Sequence, residues 1–481
     1  MNEEDSSSPS ELHPPQWVRE MQGYSVDKLQ GFLGIDGIEE CRDAVDKLHD
    51  AKILRAISNN AKIEEQNDEE RDDAWDKHHL ESYTYRFHYV GILQYRQSLL
   101  YVLPKYCCNI NATAEKSEEH PHWNTFQQVL QVIARYKDTK RELGEDENPL
   151  PWEDSLHVMV ELVMDYVENG VYRDDEHVDE INGKGRILWQ RTIQKTLPFI
   201  QDGEPIYMEL HTRRKQEDEE NFFTRMHHYL AHHAWEALHT VGLDSLLSLP
   251  DIPAPEDSNS DFTGRDDYLL GRIHTELSQQ FDSRRRYLLQ LMERYLNGKE
   301  ESFSDGFHTF GKTGFHTVWE EACRVVFGME KSTPEQMEAS RPIWDFGIKG
   351  ELYGSALEAD MLKVDNNKQT FTIYDAKYYV PPKDGAAKDI VEKMPGGHDV
   401  IKQQLYELAL KNRYPEYKIT KNVFILPMME GDDSGDGVSV GTVRVPMLEK
   451  LGLAPVEICK VKPDTIWNAY LNRHTIKDIP K

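Results

Sequence analysis

The sequence predicts an α/β chain, α+β overall: a C-terminal unit built on a mixed sheet flanked by helices, preceded by a mixed β-strand and helical N-terminal region. Three observations carry that expectation. After about residue 305, segments with helical apolar spacing alternate with strand-like ones, the signatures of amphipathic helices and half-buried strands. The stretch YTYRFHYVGILQYRQSLLYVLPKYC (83–107) is dense in Tyr, Val, Ile and Leu and runs into Pro104, which reads as a pair of strands. Between them, HWNTFQQVLQVIARYKDTK and WEDSLHVMVELVMDYVENGVY repeat apolar residues with helical spacing.

Taken in order, residues 1–15 are Ser, Pro and acids with little to bury, and read as a disordered tail. Residues 16–80 read as an acidic helical region, and residues 1–80 together carry 20 acids against 9 bases. Residues 81–250 form a mixed α/β region suited to binding a partner or DNA. Within it, 181–210 is punctuated by Gly and Pro and reads as extended, and NFFTRMHHYLAHHAWEALHTVG reads as a helix. Residues 251–304 hold a linker and one long helix, at about 266–297. Residues 305–481 form the last unit.

The net charge of −29 argues against a nucleic-acid partner at first sight. Residues 341–427, however, carry 12 acids against 13 bases, and acids that held cations would shift the balance further. No run of eighteen apolar residues suggests a membrane span, and the acidic start does not resemble a secretory signal. The five cysteines show no C-x-x-C spacing; they read as reduced, without structural zinc, in a cytoplasmic protein.

Chemistry concentrates in the last unit. In FTIYDAKYYV (371–380) strand alternation projects Asp375 and Lys377 to one side. Upstream lie a helix with Glu320 and Glu321 and a strand with Glu358 and Asp360; downstream, a helix carries Gln403 and Tyr406. The turn residues of DNNKQ join the two strands as a hairpin, which brings Asp360 close to Asp375. Adjacent carboxylates repel, and burial makes ionisation costlier. A divalent cation offsets both, and hard oxygen ligands suit Mg²⁺ or Mn²⁺.

The order Glu, Asp, Asp-x-Lys and then Gln-x-x-Tyr resembles the PD-(D/E)xK nuclease core. FHTVWEEAC, EADML, IYDAKYY and DVIKQQLYELAL resemble, more closely, the LlaJI-type restriction endonucleases and McrC-like nuclease subunits. Flanking segments such as GRILWQRTIQKTLPFIQDGEPIY extend the likeness over most of 83–427. The resemblance implies a C-terminal restriction-endonuclease-like fold and metal-dependent cleavage of double-stranded DNA in a prokaryotic restriction or anti-phage system. It further implies Asp360, Asp375 and Glu320 as metal ligands, Lys377 as the catalytic lysine, and Gln403 and Tyr406 near the scissile phosphate. A separate McrB-like AAA+ GTPase is the implied partner, and cutting two strands suggests a homodimer. Where the family carries Pro-Asp this chain has Ala359-Asp360, with Glu358 two positions before the acid. The competing function is a non-catalytic regulatory subunit on an inactive nuclease fold.

Other motifs read more plainly. GFHTFGKT (306–313) fits the P-loop pattern, yet no apolar strand precedes it. Glu321 reads as a solvated neighbour of Glu320. His228 and His232 have ligand-like helical spacing without a third ligand, and read as a partly exposed face. Trp189, Arg191 and Thr192 read as packing and hydrogen-bonding residues, and Arg284–Arg286 as a solvated helix face.

Overall fold

A computed structural model describes residues 15–59, 79–110, 119–142, 155–173, 175–201, 204–217, 221–240, 242–255, 262–305, 307–347, 350–381, 387–432 and 434–480. The expected tail, the acidic stretch around 63–77 and the middle of the 249–263 linker lie outside them. The chain divides into two compact units, one of residues 1–154 with 306–481 and the other of residues 155–305.

The first unit begins with strands β1 (Gln16–Arg19) and β2 (Gly23–Tyr24), helices α1 (Val26–Leu33) and α2 (Ile38–Asp50), and strand β3 (Leu54–Ser58). Val26, Leu29 and Leu33 line the inner face of α1, which stops at left-handed Gly34. The region expected to be helical thus also contributes strands. The Tyr-rich stretch makes three strands rather than two, β4 (Tyr83–Phe87), β5 (Tyr89–Tyr95) and β6 (Ser98–Leu103), followed by helix α3 (Trp123–Glu142). The extra break falls at His88, where the chain leaves a β2-β4-β3 sheet and enters a second one. Hydrophobic periodicity continues across such a break and does not mark it.

The second unit comprises α4 (Ser155–Asn169), β7 (Asp175–Ile181), β8 (Arg186–Ile187), α5 (Trp189–Lys195), β9 (Phe199–Gln201), β10 (Glu204–Ile206), β11 (His211–Glu217), α6 (Phe222–Thr240), α7 (Leu243–Leu247), α8 (Asp266–Gln279) and α9 (Ser283–Asp305). The helix expected over 266–297 is therefore two. The Gln280 side chain accepts the Phe281 and Asp282 amides, and Asp282 accepts the amide of Arg285 to start α9. Arg286 donates to the carbonyls of Leu277 and Gln280, and Arg284 to that of Gly170, so this basic run closes helix ends. Thr192 is fully buried and accepts the His211 amide; Arg191 pairs with Asp179, while Trp189 is half-exposed. His228 and His232 bond to the carbonyls of Pro253 and Ile252, which explains their spacing without a metal.

The first unit resumes with β12 (Phe307–Thr313), α10 (His316–Val326), β13 (Ile343–Asp345), β14 (Glu351–Tyr353), β15 (Met361–Asp365) and β16 (Thr370–Ala376). Then follow α11 (Ala387–Glu392), α12 (Gly397–Arg413), β17 (Lys418–Pro427), β18 (Gly437–Val443), α13 (Pro446–Glu449), β19 (Val456–Val461) and α14 (Pro463–Leu471). Strand β12 pairs antiparallel with β5 in a β1-β6-β5-β12 sheet. The P-loop-like motif is therefore a strand. A Cβ on its Gly311 would collide with the Tyr89 phenol, and the glycine serves that cross-strand ring contact.

The second sheet has the order β15-β16-β17-β19-β18; β16, β17 and β19 run parallel, with antiparallel edges. Phe371 and Ile373 of β16 pack with Tyr406, Ala409 and Leu410 of α12. Alternate residues face the other way, and Tyr374 meets Phe327 at the end of α10. On that side Trp319 of α10 and Trp467 of α14 are fully buried edge to face, with centroids 5.4 Å apart. Truncating either ring costs about 3–5 kcal/mol.

Candidate active site

The acids meet through the β15–β16 hairpin. Asp365 starts its turn by accepting the amides of Asn367 and Lys368. Met361 pairs with Tyr374, so one further step of the same register sets Asp360 opposite Asp375. Opposed antiparallel residues share a face, and Asp375 continues the Phe371–Ile373 face toward α12.

Lys377 lies just past the strand, its amide bound to the Ile425 carbonyl. Its Nζ is 3.4 Å from Asp375 Oδ2 and 3.4 Å from Asp399 Oδ1 in the first turn of α12. Asp375 is only 6 % exposed. Burial pushes its carboxyl up to about 6; Lys377 opposes that shift and Asp360 adds to it. Glu320 on α10 is pushed up to about 7 by burial and by repulsion from Asp360, with Lys377 again opposing. Burial works against the charge on Lys377, yet Asp375, Asp399 and Glu320 outweigh it and hold the ammonium above its ordinary range. The result is a group of acids short of positive charge. The carboxylates of Glu320, Asp360 and Asp375 do not come within 4.8 Å of one another as a trio; Lys377 stands between the strand and the helix instead.

Neighbouring residues sort out by their partners. Glu358 is exposed and pairs with Lys331 at 3.0 Å, whereas Asp360 acts on both Glu320 and Asp375. Tyr406 donates from its hydroxyl to the Glu358 carbonyl at 2.6 Å, steadying the approach to Asp360. The Ala359 amide donates to Ser332 Oγ at 2.8 Å, a bond that proline at this position lacks a hydrogen to make. Glu321 is buried, not solvated, and pairs with Arg324. Gln403 is fully buried, and its amide donates to Asn422 of β17 at 2.8 Å; no contact joins it to the acids.

Two residues join the cluster that motif order did not single out. Asp399 holds the second side of Lys377, and Lys402 lies over the Tyr406 ring at 5.7 Å and acts on Glu320. Asp399, Gln403 and Tyr406 follow one another at helical spacing, so the signal for Asp399 was in the sequence.

The model of the LlaJI restriction endonuclease family matches residues 89–458, well over half of the chain, and the chain belongs to that family. It is 26 % identical over 414 residues to the Type II restriction enzyme BsuMI component YdjA of Bacillus subtilis (strain 168), covering 81 % of each protein. Solved structures that it resembles include an assembly of Thermococcus gammatolerans McrB AAA+ hexamers with bound McrC. There the TM-score is 0.38 at 13 % identity, with 95 % of this chain and 99 % of that chain covered. For the cryo-EM structure of the McrBC complex from the same organism the TM-score is 0.26 at 17 % identity, over 64 % of this chain and 84 % of that one. Among the described residues, no helix is long and apolar enough to cross a membrane.

Proposed function

We propose that this chain is the DNA-cutting subunit of a restriction system, hydrolysing phosphodiester bonds with Mg²⁺ or Mn²⁺, and that the sheet of β15 to β19 with α10 and α12 is a PD-(D/E)xK core. The observation that carries the reading is the convergence of Asp360, Asp375, Glu320 and Lys377 from three separate elements onto one buried cluster.

The donor set fits a hard divalent cation: three carboxylates, two of them pushed toward neutrality by burial and mutual repulsion. Asp360, Asp375 and Glu320 would hold the ion, which when bound polarises the phosphate and makes water easier to ionise. Lys377 keeps its proton at neutral pH in this arrangement. Its role is therefore to orient the attacking water and to stabilise charge on the phosphate, rather than to act as the base. Asp399 fixes the position of the ammonium. Tyr406 holds the backbone ahead of Asp360. Gln403 supports α12 against β17.

Several bases near the site favour a polyanion despite the acidic whole. Burial, then Lys105, Arg55, Lys312 and Lys377, push the imidazole of His316 at the start of α10 down to about 4, which sets those four cations, the proposed catalytic lysine among them, around one helix start. The Bacillus subtilis relative is named a component of a restriction enzyme, and this supports the reading as one subunit among others. The AAA+ GTPase partner belongs to this proposal, as does pairing of two copies for double-strand cutting.

The test is cleavage of plasmid DNA with Mg²⁺, with and without an AAA+ GTPase encoded beside this chain. Lys377→Ala should lower the rate at least about 1,000-fold, roughly 4 kcal/mol of transition-state stabilisation, with an unchanged circular dichroism spectrum. Equal cleavage by the variant would sink the assignment.

A further inference from the structure

A second polar cluster lies in the same unit, built from three segments the candidate active site does not use. Cys107 follows β6, His122 precedes α3 by one residue, and Glu430 follows β17. One ligand atom from each lies within 4.8 Å of the other two. Cys107 and His122 are almost wholly buried, 1 % exposed each.

Two of the three ligands are already oriented by a second contact. His122 Nε2 is 2.5 Å from the Cys108 carbonyl. A carbonyl only accepts, so Nε2 carries a proton, which leaves Nδ1 as the atom aimed at the cluster. That Nδ1 lies 3.3 Å from Glu430 Oε1, while Glu430 Oε2 accepts the Cys108 amide at 2.7 Å. The Glu430 amide in turn donates to the Tyr106 carbonyl at 2.9 Å. Glu430 is half-exposed, and a lone pair on the buried Nδ1 facing its carboxylate is repulsive unless a positive charge lies between them. A proton on Nδ1 would serve the histidine and the glutamate, but it leaves a buried thiol converging on them without a reason. A metal ion accounts for all three, and a ligating histidine that donates its other N–H to a backbone carbonyl is the expected arrangement.

We propose that Cys107 Sγ, His122 Nδ1 and a Glu430 carboxylate oxygen bind one Zn²⁺ ion. Sulfur with nitrogen and oxygen suits zinc and disfavours Mg²⁺. Zinc bonds of about 2.0–2.3 Å in tetrahedral array set ligand atoms about 3.4–3.7 Å apart, so the site needs to contract by about an ångström. The Cys107 thiol loses its proton to solvent as the Zn–S bond forms. The fourth position opens on a cavity of about 140 Å³, lined also by Thr125, Lys462 and Asp464, with room for water. The ion would clasp the loop after β6 to the loop after β17. A sequence search for paired cysteines misses it because the ligands come from three separate segments.

The test uses the full chain, loaded with zinc, dialysed and assayed for metal per chain, together with a Co²⁺-substituted sample. Wild type, Cys108→Ser and Asp375→Asn should each retain one equivalent, and the cobalt form should show a thiolate charge-transfer band. Cys107→Ser and His122→Ala should weaken retention at least tenfold, with folding checked by circular dichroism. Any of three results overturns the proposal: no retained zinc in wild type; equal retention in Cys107→Ser and His122→Ala, meaning an adventitious ion only; or a cobalt spectrum without the thiolate band, which does not depend on any variant folding. Loss of zinc from Asp375→Asn alone would assign the metal to the acidic cluster and overturn it as well.

Discussion

Helix α12 carries two polar clusters on its sheet-facing side, and they differ in kind. In its first turn, Asp399 meets Lys377 and through it Asp375, a group with more acid than base. A turn and more further on, Gln403 donates to Asn422, Asn422 donates to Glu407 Oε2 at 3.3 Å, and Glu407 Oε1 pairs with Lys411 at 2.6 Å. The second cluster runs from amide to amide, amide to carboxylate and carboxylate to ammonium, with Gln403 Oε1 left over. It fixes the helix on β17. The first holds more acids than bases, and burial, followed by repulsion from Asp360, pushes its carboxyls up to about 6 and about 7. Most buried polar groups that serve structure find partners within the fold, whereas strongly perturbed buried acids are common at functional sites.

That contrast can be broken at either end. Asp375→Asn should have the largest effect after Lys377→Ala, and in two opposite directions. Cleavage should fall at least about 100-fold, while the metal-free protein becomes more stable at alkaline pH. The folded carboxyl sits near 6 against an ordinary 3.8, so its contribution to stability is complete below about 3.8 and is lost as pH rises through about 6. Removing the charge should recover about 1–3 kcal/mol at pH 8 and nothing at pH 4, as measured by urea unfolding. An alkaline destabilisation by Asp375→Asn would contradict the picture of a strained acid. Mg²⁺ should flatten the pH dependence of the wild type.

Asn422→Ala tests the second cluster. It removes a partner from Gln403 and from Glu407, and should cost about 1–3 kcal/mol in unfolding experiments. Cleavage per folded molecule should stay within about twofold. A large loss of turnover with intact stability would move Gln403 into the reaction. Tyr406→Phe should give the smallest change, about 1 kcal/mol for its bond to the Glu358 carbonyl, with a modest drop in rate as the segment before Asp360 loosens.

Much of the site was legible in advance. Alternation along FTIYDAKYYV set Asp375 on one face, DNNKQ supplied the turn chemistry, and the hairpin register then placed Asp360 opposite Asp375. These are properties of adjacent residues and short loops, where backbone geometry leaves few choices. Gln403 was the instructive miss. Its helical position was read correctly, but its amide turns to Asn422, a partner whose position depends on how β17 lies under α12. Glu321 failed for the same reason: one residue from Glu320, it faces a buried side of α10 and pairs with Arg324.

Local pattern therefore determined the β15–β16 hairpin and the side shared by Asp375 and Lys377, while the choice of Glu320 and Asp360 among neighbouring acids came from the family resemblance. The tertiary structure decided which sheet each Tyr-rich strand joined, that β12 pairs with β5, that Asp399 holds Lys377, and that Cys107, His122 and Glu430 converge. The physical reason is one of range. Strand alternation and turn propensity are settled within a few residues, while pairing, burial and charge balance depend on groups hundreds of residues away that only the packed chain brings into contact.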